Sequence, residues 1–315
     1  MTRTLVTGSA GRLGRSLVTT LAQAGHEVIG VDVTAGTPGE AAATLPADLT
    51  DLGEAYDVMA RFRPDVVVHL AAIATPFSRT DGLTFRTNTQ LAFNVCQAAS
   101  SLGVGRVIVA SSPTVIGYGA PSGWTPNYLP IDEEHPTEPW NSYSLSKLVA
   151  EQTMRSFARD SETKFAAVRP CFVVAPEEWA GAPTQSGHTI ADRLDRPELA
   201  GVSLFNYIDA RDASDMISVL IERLPGLPNG EVFFAGAADA LARRPLAELL
   251  PQVMPATETP AEVSIGASGE APVEASIEAI ASPLTGTSPA FTSAKAERML
   301  GWIAKRSWRT ELEIR

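Results

Sequence analysis

The segment Thr7-Gly8-Ser9-Ala10-Gly11-Arg12-Leu13-Gly14 constrains this chain more than any other stretch. It follows Arg3 to Thr7, which reads as a short buried strand. It opens a helix running to about Ala24 and closed by Gly25. A second strand is expected over Glu27 to Val33, with Asp32 at its C-terminal end. A strand, a glycine loop, a helix and a strand ending in an acid form the βαβ unit that holds a dinucleotide. Gly8 permits the tight turn, Gly11 lets the backbone approach a pyrophosphate, and Gly14 lets helix and strand pack closely. The helix N-terminus then turns its unpaired N–H groups toward the phosphates. Asp32 is placed to accept hydrogen bonds from the adenosine ribose and to repel a 2′-phosphate, favouring NAD over NADP. Arg12 acts in the other direction, because a cation beside the loop accommodates that phosphate.

Alternation continues along the chain. Thr44 to Ala47 reads as a third strand ending at Asp48-Leu49, followed by a helix over Asp51 to Phe62. Val66 to Leu70 is a continuous apolar strand of the kind buried on both faces, and Ala71-Ala72 keep the surface small where a flat ring lies. A helix over Phe85 to Leu102 and a strand over Arg106 to Ala110 lead to Ser111-Ser112. The pattern gives an α/β fold with a doubly wound parallel sheet, whose ligands bind beyond the C-terminal ends of the strands. Gly8, Asp32, Asp48, Ala71 and Ser112 all fall at such ends and are expected to line one crevice.

Gly117 to Trp140 is rich in Gly, Pro and aromatics and reads as a loop able to wall a substrate site. Trp140-Asn141-Ser142 caps a helix reaching about Arg159, and Phe165 to Arg169 is the next strand, ending in Pro170-Cys171-Phe172. Beyond Pro176 to Ala200, which has no clear period, a strand over Val202 to Tyr207 and a helix over Asp209 to Leu224 are expected. A strand over Glu231 to Ala235 and a short helix over Pro245 to Leu250 follow. Pro251 to Ser288 reads as a loosely ordered excursion, and Ser293 to Leu300 as a helix stopped by Gly301. Residues 1–170 form a Rossmann-like nucleotide domain carrying the helix over 141–159. Residues 171–315 form a smaller, mainly substrate-binding region, from which the strand and helix over 202–224 return to the core.

Tyr143 and Lys147 stand four apart, so on a helix they share a face and the ammonium lies beside the phenol. A nearby cation favours phenolate, which predicts a tyrosine pKa lowered from its ordinary value of about 10. A phenol tuned in that way exchanges a proton with an alcohol or ketone. The spacing by itself fits an aromatic core residue beside a solvated lysine more readily, since it occurs by chance in many amphipathic helices.

Composition excludes other classes. A formal net charge of −11 repels phosphate backbones, so no nucleic-acid partner is expected. Two cysteines and four scattered histidines provide neither a disulfide framework nor metal-ligand spacing. No apolar run approaches the roughly 20 residues of a membrane span, and the N-terminus runs straight into a strand, so a cytoplasmic location is expected.

These residues resemble the extended short-chain dehydrogenase/reductases, the group that includes the NAD-dependent epimerase/dehydratase enzymes. The resemblance is carried by Thr7-Gly8-x-x-Gly11-x-x-Gly14, Asp48-Leu49, His69-Leu70-Ala71-Ala72, Asn88 and Ser111-Ser112-x-x-Val115-x-Gly117. It continues through Tyr143-x-x-x-Lys147, Arg169-Pro170, Tyr207-Ile208-Asp209-Ala210-Arg211-Asp212, and Ser293-x-Lys295 to Trp308. It implies that Tyr143 is the general acid/base, that Lys147 holds the nicotinamide ribose, and that Ser112 polarises the substrate oxygen. It further places Gly8, Gly11, Arg12, Leu13, Gly14, Asp32, Asp48, Leu49, Leu70, Ala71, Ala72, Asn88 and Pro170 at NAD. A homodimer through the helices near 85–102 and 141–159 is implied as well.

Departures from the family pattern narrow the chemistry. Pro113 and Thr114 stand where dehydratases and decarboxylating relatives carry acidic residues. Phe172 replaces the asparagine usual in sugar-nucleotide enzymes, and Val115-Ile116-Gly117 replaces Val-Tyr-Gly. The expected activity is NAD-dependent hydride transfer at a hydroxyl or ketone of a sugar, sugar acid or similar small polyol. The alternative is a nucleoside-diphosphate-sugar 4-epimerase of the UDP-glucose type. Thr75, Thr114, Phe172 and Trp179 are expected to contact the substrate, with Phe77 and Trp124 as further wall residues.

Overall fold

Valine-rich runs such as Val66-Val67-Val68 suit a strand covered on both faces, and in the computed structural model they form the middle of a seven-stranded sheet. The structure describes residues 1–34, 39–254 and 276–313. Strands β1 (Arg3–Thr7), β2 (Glu27–Asp32), β3 (Ala43–Pro46), β4 (Val66–His69), β5 (Arg106–Ala110) and β6 (Lys164–Pro170) enter this sheet. Short β7 (Val173–Val174) and β8 (Ile208–Asp209) pair only with each other, and β9 (Glu231–Ala235) completes the large sheet. Its order is β3-β2-β1-β4-β5-β6-β9, with every pairing parallel. The order reverses between β1 and β4, and that switch point opens the ligand crevice in doubly wound sheets.

Side chains alternate across a strand, and the core divides accordingly. Val6, Val66, Val68 and Ile108 face α1 (Arg12–Gln23), whose Leu17, Val18 and Leu21 are buried. Leu5, Val67, Val107 and Val109 face α2 (Leu52–Phe62), α3 (Asp81–Ser101) and α4 (Ser142–Asp160). Asp51 caps α2 by accepting from the Glu54 N–H at 3.1 Å. Helix α3 begins one turn before Phe85, after Thr80, with Asp81 as an acid in its first turn.

The aperiodic stretch after β7 contains three short helices: α5 (Pro176–Trp179), α6 (Ile190–Asp195) and α7 (Pro197–Gly201). No strand forms over Val202–Tyr207. Leu204 and Phe205 adopt left-handed φ values of 49° and 57°, which break extended backbone, and only Ile208–Asp209 pairs. Helix α8 (Ala210–Arg223) packs on α1, contributing Met216, Ile217, Leu220 and Ile221 to that face of the core. The loosely ordered excursion expected from residue 251 is also corrected in its described parts. Helix α9 (Leu246–Val253) runs through Pro251, and α10 (Ile277–Ala281) packs against it with Ile277, Ala281 and Leu284 buried. The remainder of that expectation falls on 255–275, outside the described residues. Helices α11 (Ala294–Leu300), ended by left-handed Gly301, and α12 (Trp308–Glu313) close the chain. A separate small core holds Val174, Trp179, Ile190, Leu194, Tyr207, Leu241 and Trp308.

Candidate active site

The glycine loop leaves no room for side chains where a cofactor must come close. A Cβ on Gly8 would lie 2.7 Å from the Ala71 nitrogen, and one on Gly14 only 2.1 Å from the Gly8 carbonyl oxygen. Gly11 caps α1 without any side-chain hydrogen bond, so the first N–H groups of the helix are left for a ligand. Asp32, at the end of β2, accepts from the Ala10 N–H at 3.0 Å, fixing its carboxylate beside the loop. These features fit a dinucleotide. Arg12, the cation beside the loop, is held by Glu178 through its Nε at 2.6 Å. Glu178 is 2% exposed.

Beyond the C-terminal ends of β1, β4, β5 and β6 lies a cavity of about 1160 Å³. It is lined by Gly8, Gly11, Arg12, Leu13, Gly14, Leu70, Ala72, Thr75, Ser112, Thr114, Tyr143, Lys147, Pro170 and Phe172 among the residues singled out from sequence. Phe77 and Trp124 line it too. Asp32, Asp48, Leu49, Ala71 and Asn88 lie outside its lining. Asp48 is exposed and Leu49 buried at the end of β3, and the Ala71 N–H donates to Thr7 Oγ1 at 3.2 Å. Trp179 is a correction: it is 3% exposed in the small separate core, where its indole N–H donates to Asp209 Oδ2 at 2.7 Å. Sequence reasoning missed Tyr118, Trp140 and Arg193, which line the cavity together with Cys171, the neighbour of Pro170. The aromatic content of the loop 117–140 signals the first two. Nothing in the sequence around Arg193 announces its burial.

Ser112 caps the 3₁₀ turn Pro113–Ile116. Its oxygen accepts from the Thr114 N–H at 3.2 Å and from Thr114 Oγ1 at 2.9 Å. With both lone pairs engaged, the Ser112 hydroxyl can only donate. Tyr143 begins α4 behind the Asn141 cap, whose side chain accepts from the Ser144 N–H at 2.9 Å. Burial pushes the Tyr143 phenol above its ordinary value, opposed by a hydrogen bond with Ser112. The lowered phenol expected from the Lys147 spacing is therefore not found. Lys147 does lie beside the ring, with Nζ 5.9 Å from its centroid, but its ammonium donates to the Ala110 carbonyl at 2.8 Å. Burial lowers the Lys147 pKa to about 8. Desolvation thus sets the direction at both groups.

Three buried contacts fix α4 in place. Asn88 Oδ1 accepts from the Ile73 N–H at 2.8 Å while its Nδ2 donates to Ser146 Oγ at 3.0 Å, tying α3 to the turn that carries Tyr143. Glu151, one turn beyond Lys147, is fully buried and makes a two-pronged ion pair with Arg169 on β6 at 2.8 and 2.9 Å. Ser111 Oγ donates to the same carboxylate at 2.5 Å. His69 is a core histidine: its Nδ1 shares a hydrogen bond with Thr7 Oγ1 at 2.8 Å, and burial lowers its pKa to about 3, so it is neutral. Among the described residues no cluster of potential metal ligands occurs, and no helix is long and apolar enough to cross a membrane.

The NAD dependent epimerase/dehydratase family model matches residues 4–236. A UDP-glucose 4-epimerase of Azospirillum brasilense is 35% identical over 159 residues, covering 49% of this chain and 44% of that protein. The chain thus spans about half the length of the curated relatives it matches. A short-chain dehydrogenase/reductase superfamily protein from Agrobacterium tumefaciens, solved with bound NAD, superposes with a TM-score of 0.69 at 22% identity, over 99% of this chain and 95% of that one. UDP-glucose 4-epimerase from Thermotoga maritima, solved with UDP-glucose, gives 0.70 at 21% identity, over 99% and 96%. The last two likenesses establish the fold. The match over most of the chain, on a seven-stranded parallel sheet with an intact dinucleotide loop, places this protein in the NAD-dependent epimerase/dehydratase family.

Proposed function

We propose that this protein is an NAD-dependent oxidoreductase acting at a hydroxyl or ketone of a free sugar, sugar acid or similar small polyol. One observation carries the reading: Ser112, Tyr143 and Lys147 line the same cavity as the glycine loop, and the only carboxylate among the described lining residues is exposed Glu198. Without a buried carboxylate beside Tyr143, the chemistry stops at hydride and proton transfer. NAD, when bound, supplies the two-electron exchange, and Gly8, Gly11, Gly14 and Asp32 would hold it. Tyr143 passes the proton to or from the substrate oxygen, and its elevated phenol suits donation in the reductive direction. Ser112, whose oxygen accepts from Thr114, turns the proton it shares with Tyr143 to the same substrate oxygen. Lys147 holds the ribose and keeps a cation near the phenol. We assign residues 1–170 to cofactor binding and 171–315 mainly to substrate binding, although α8 and β9 belong to the central layers.

A second reading, a sugar-nucleotide 4-epimerase, is supported equally by the relatives, which carry that name at modest identity. Incubating the protein with NAD and a panel of free sugars, uronic acids and UDP-sugars separates the two. Net NADH from an unactivated sugar or acid is expected. An epimerised UDP-sugar without net NADH, together with UDP binding by calorimetry, would favour the second reading.

We also propose a homodimer through α3 and α4, which leave Phe85, Phe93 and Leu145 exposed at 36%, 48% and 42%. Phe93 stacks near Phe157 of α4 at 5.7 Å, so the apolar surface is continuous across both helices. Sedimentation is expected to give twice the chain mass; a monomer at micromolar concentration would exclude this interface.

A further inference from the structure

Arg193 carries a charge that this fold has not neutralised. It is 1% exposed, yet it lines the cavity together with Phe172 and Ser203. Its guanidinium carbon lies 4.2 Å from the centroid of the Phe172 ring. Nη2 donates to Ser203 Oγ at 3.0 Å, and Ser203 Oγ passes its own proton to the Ala200 carbonyl, also at 3.0 Å. The enclosed Nε has no acceptor among the described residues. An arginine offers five N–H donors, so most of this side chain's hydrogen-bonding capacity is unused.

The carboxylates of its own helix are committed elsewhere. Asp192 closes the N-terminal capping box of α6, accepting from the Thr189 N–H at 3.0 Å and from Thr189 Oγ1 at 2.8 Å, and it also takes Arg196 at 3.2 Å. Asp195 takes Arg243 at 3.1 Å. The other cations of the cavity have assigned partners: Arg12 is held by Glu178, and Lys147 by the Ala110 carbonyl beside Tyr143. Burial lowers the Arg193 pKa only to about 10, so the side chain is charged at neutral pH. A buried cation without a counter-charge is costly unless something supplies one. A planar guanidinium stacked on an aromatic ring matches the two oxygens of a carboxylate or phosphate.

We propose that Arg193 recognises an anionic group of the substrate, a carboxylate or a phosphate, in the part of the cavity formed with Phe172 and Ser203. This rests on the reading of the cavity as an oxidoreductase substrate site, and it selects sugar acids or sugar phosphates over neutral sugars.

The test titrates galacturonate, galactose 1-phosphate, UDP and galactose into the NAD-loaded protein by calorimetry, for wild type, Arg193→Met and Arg193→Lys. At least one anionic probe is expected to bind more tightly than galactose. Arg193→Met should weaken that probe on the order of 100-fold while leaving galactose unchanged, and Arg193→Lys should recover part of the loss. Preference for galacturonate identifies a carboxylate, and preference for galactose 1-phosphate or UDP a phosphate. Galactose binding as tightly as every anion, no anion binding at all, or an unaltered anion affinity in Arg193→Met overturns the proposal. Should Arg193→Met fail a thermal-unfolding check, the wild-type comparison of anions with galactose still decides. Arg193-dependent anion binding without turnover would leave this inference standing and remove the oxidoreductase reading. NADH formed from galactose alone would do the reverse.

Discussion

Tyr143→Phe is expected to lower kcat/KM by about 10²- to 10⁴-fold, the range that a positioned general acid/base contributes. The ring is 7% exposed and remains in place when the hydroxyl is removed, so the fold has little to lose. NAD affinity and thermal unfolding should stay close to wild type, because the glycine loop and Asp32 are untouched. The loss should therefore appear in kcat, with KM changed far less. No described carboxylate other than exposed Glu198 lines the cavity to take over the proton, and Ser112 is confined to donating. Full activity in the Phe variant, measured by NADH absorbance on whichever substrate the panel identifies, would remove Tyr143 from the chemistry.

Glu151→Ala should be the most damaging single change to stability outside the glycine loop. It would leave Arg169 buried at 2% exposure without its ion-pair partner, and Ser111 without the carboxylate it donates to. Removing one partner of a buried ion pair costs about 3–5 kcal/mol. Urea unfolding should show that loss as a lower midpoint at unchanged slope. Because α4 is anchored to β5 and β6 through this pair, the protein that remains folded should also turn over more slowly. Replacing both partners by Met should be less harmful than Glu151→Ala, since no charge is then orphaned. A single-variant loss under about 1 kcal/mol would mean that water or a neighbouring group satisfies Arg169.

What the sequence disclosed follows from which forces are local. The glycine loop is a backbone requirement, and Gly8 and Gly14 could be assigned because only hydrogen fits at those contacts. Strands β1, β5 and β9 end where expected, and β5 and β9 carry continuous apolar runs. The Tyr143–Lys147 juxtaposition depends only on helical spacing, and it was found. Its electrostatic consequence is not legible, because burial raises the phenol's pKa and that burial depends on how α4 is seated against the sheet. Val202 to Tyr207 looks like a strand because a short apolar run has no period of its own; positive φ at Leu204 and Phe205 turns it into a buried bend. The loop position of Trp179 predicts a place in the cavity wall, yet Asp209, thirty residues later, draws its indole into another core. Arg193 and the Glu151–Arg169 pair depend on contacts between distant segments, which no spacing rule encodes.

The most direct measurement follows the hydrogen itself. A substrate carrying deuterium on the carbon that bears the reacting hydroxyl is turned over with NAD, and the products are analysed by mass spectrometry. Direct hydride transfer predicts deuterium in the reduced nicotinamide for a dehydrogenase, or back on the sugar carbon for an epimerase, with none released to water. Deuterium appearing in water would contradict the account, because the carbon would then be losing a proton rather than a hydride.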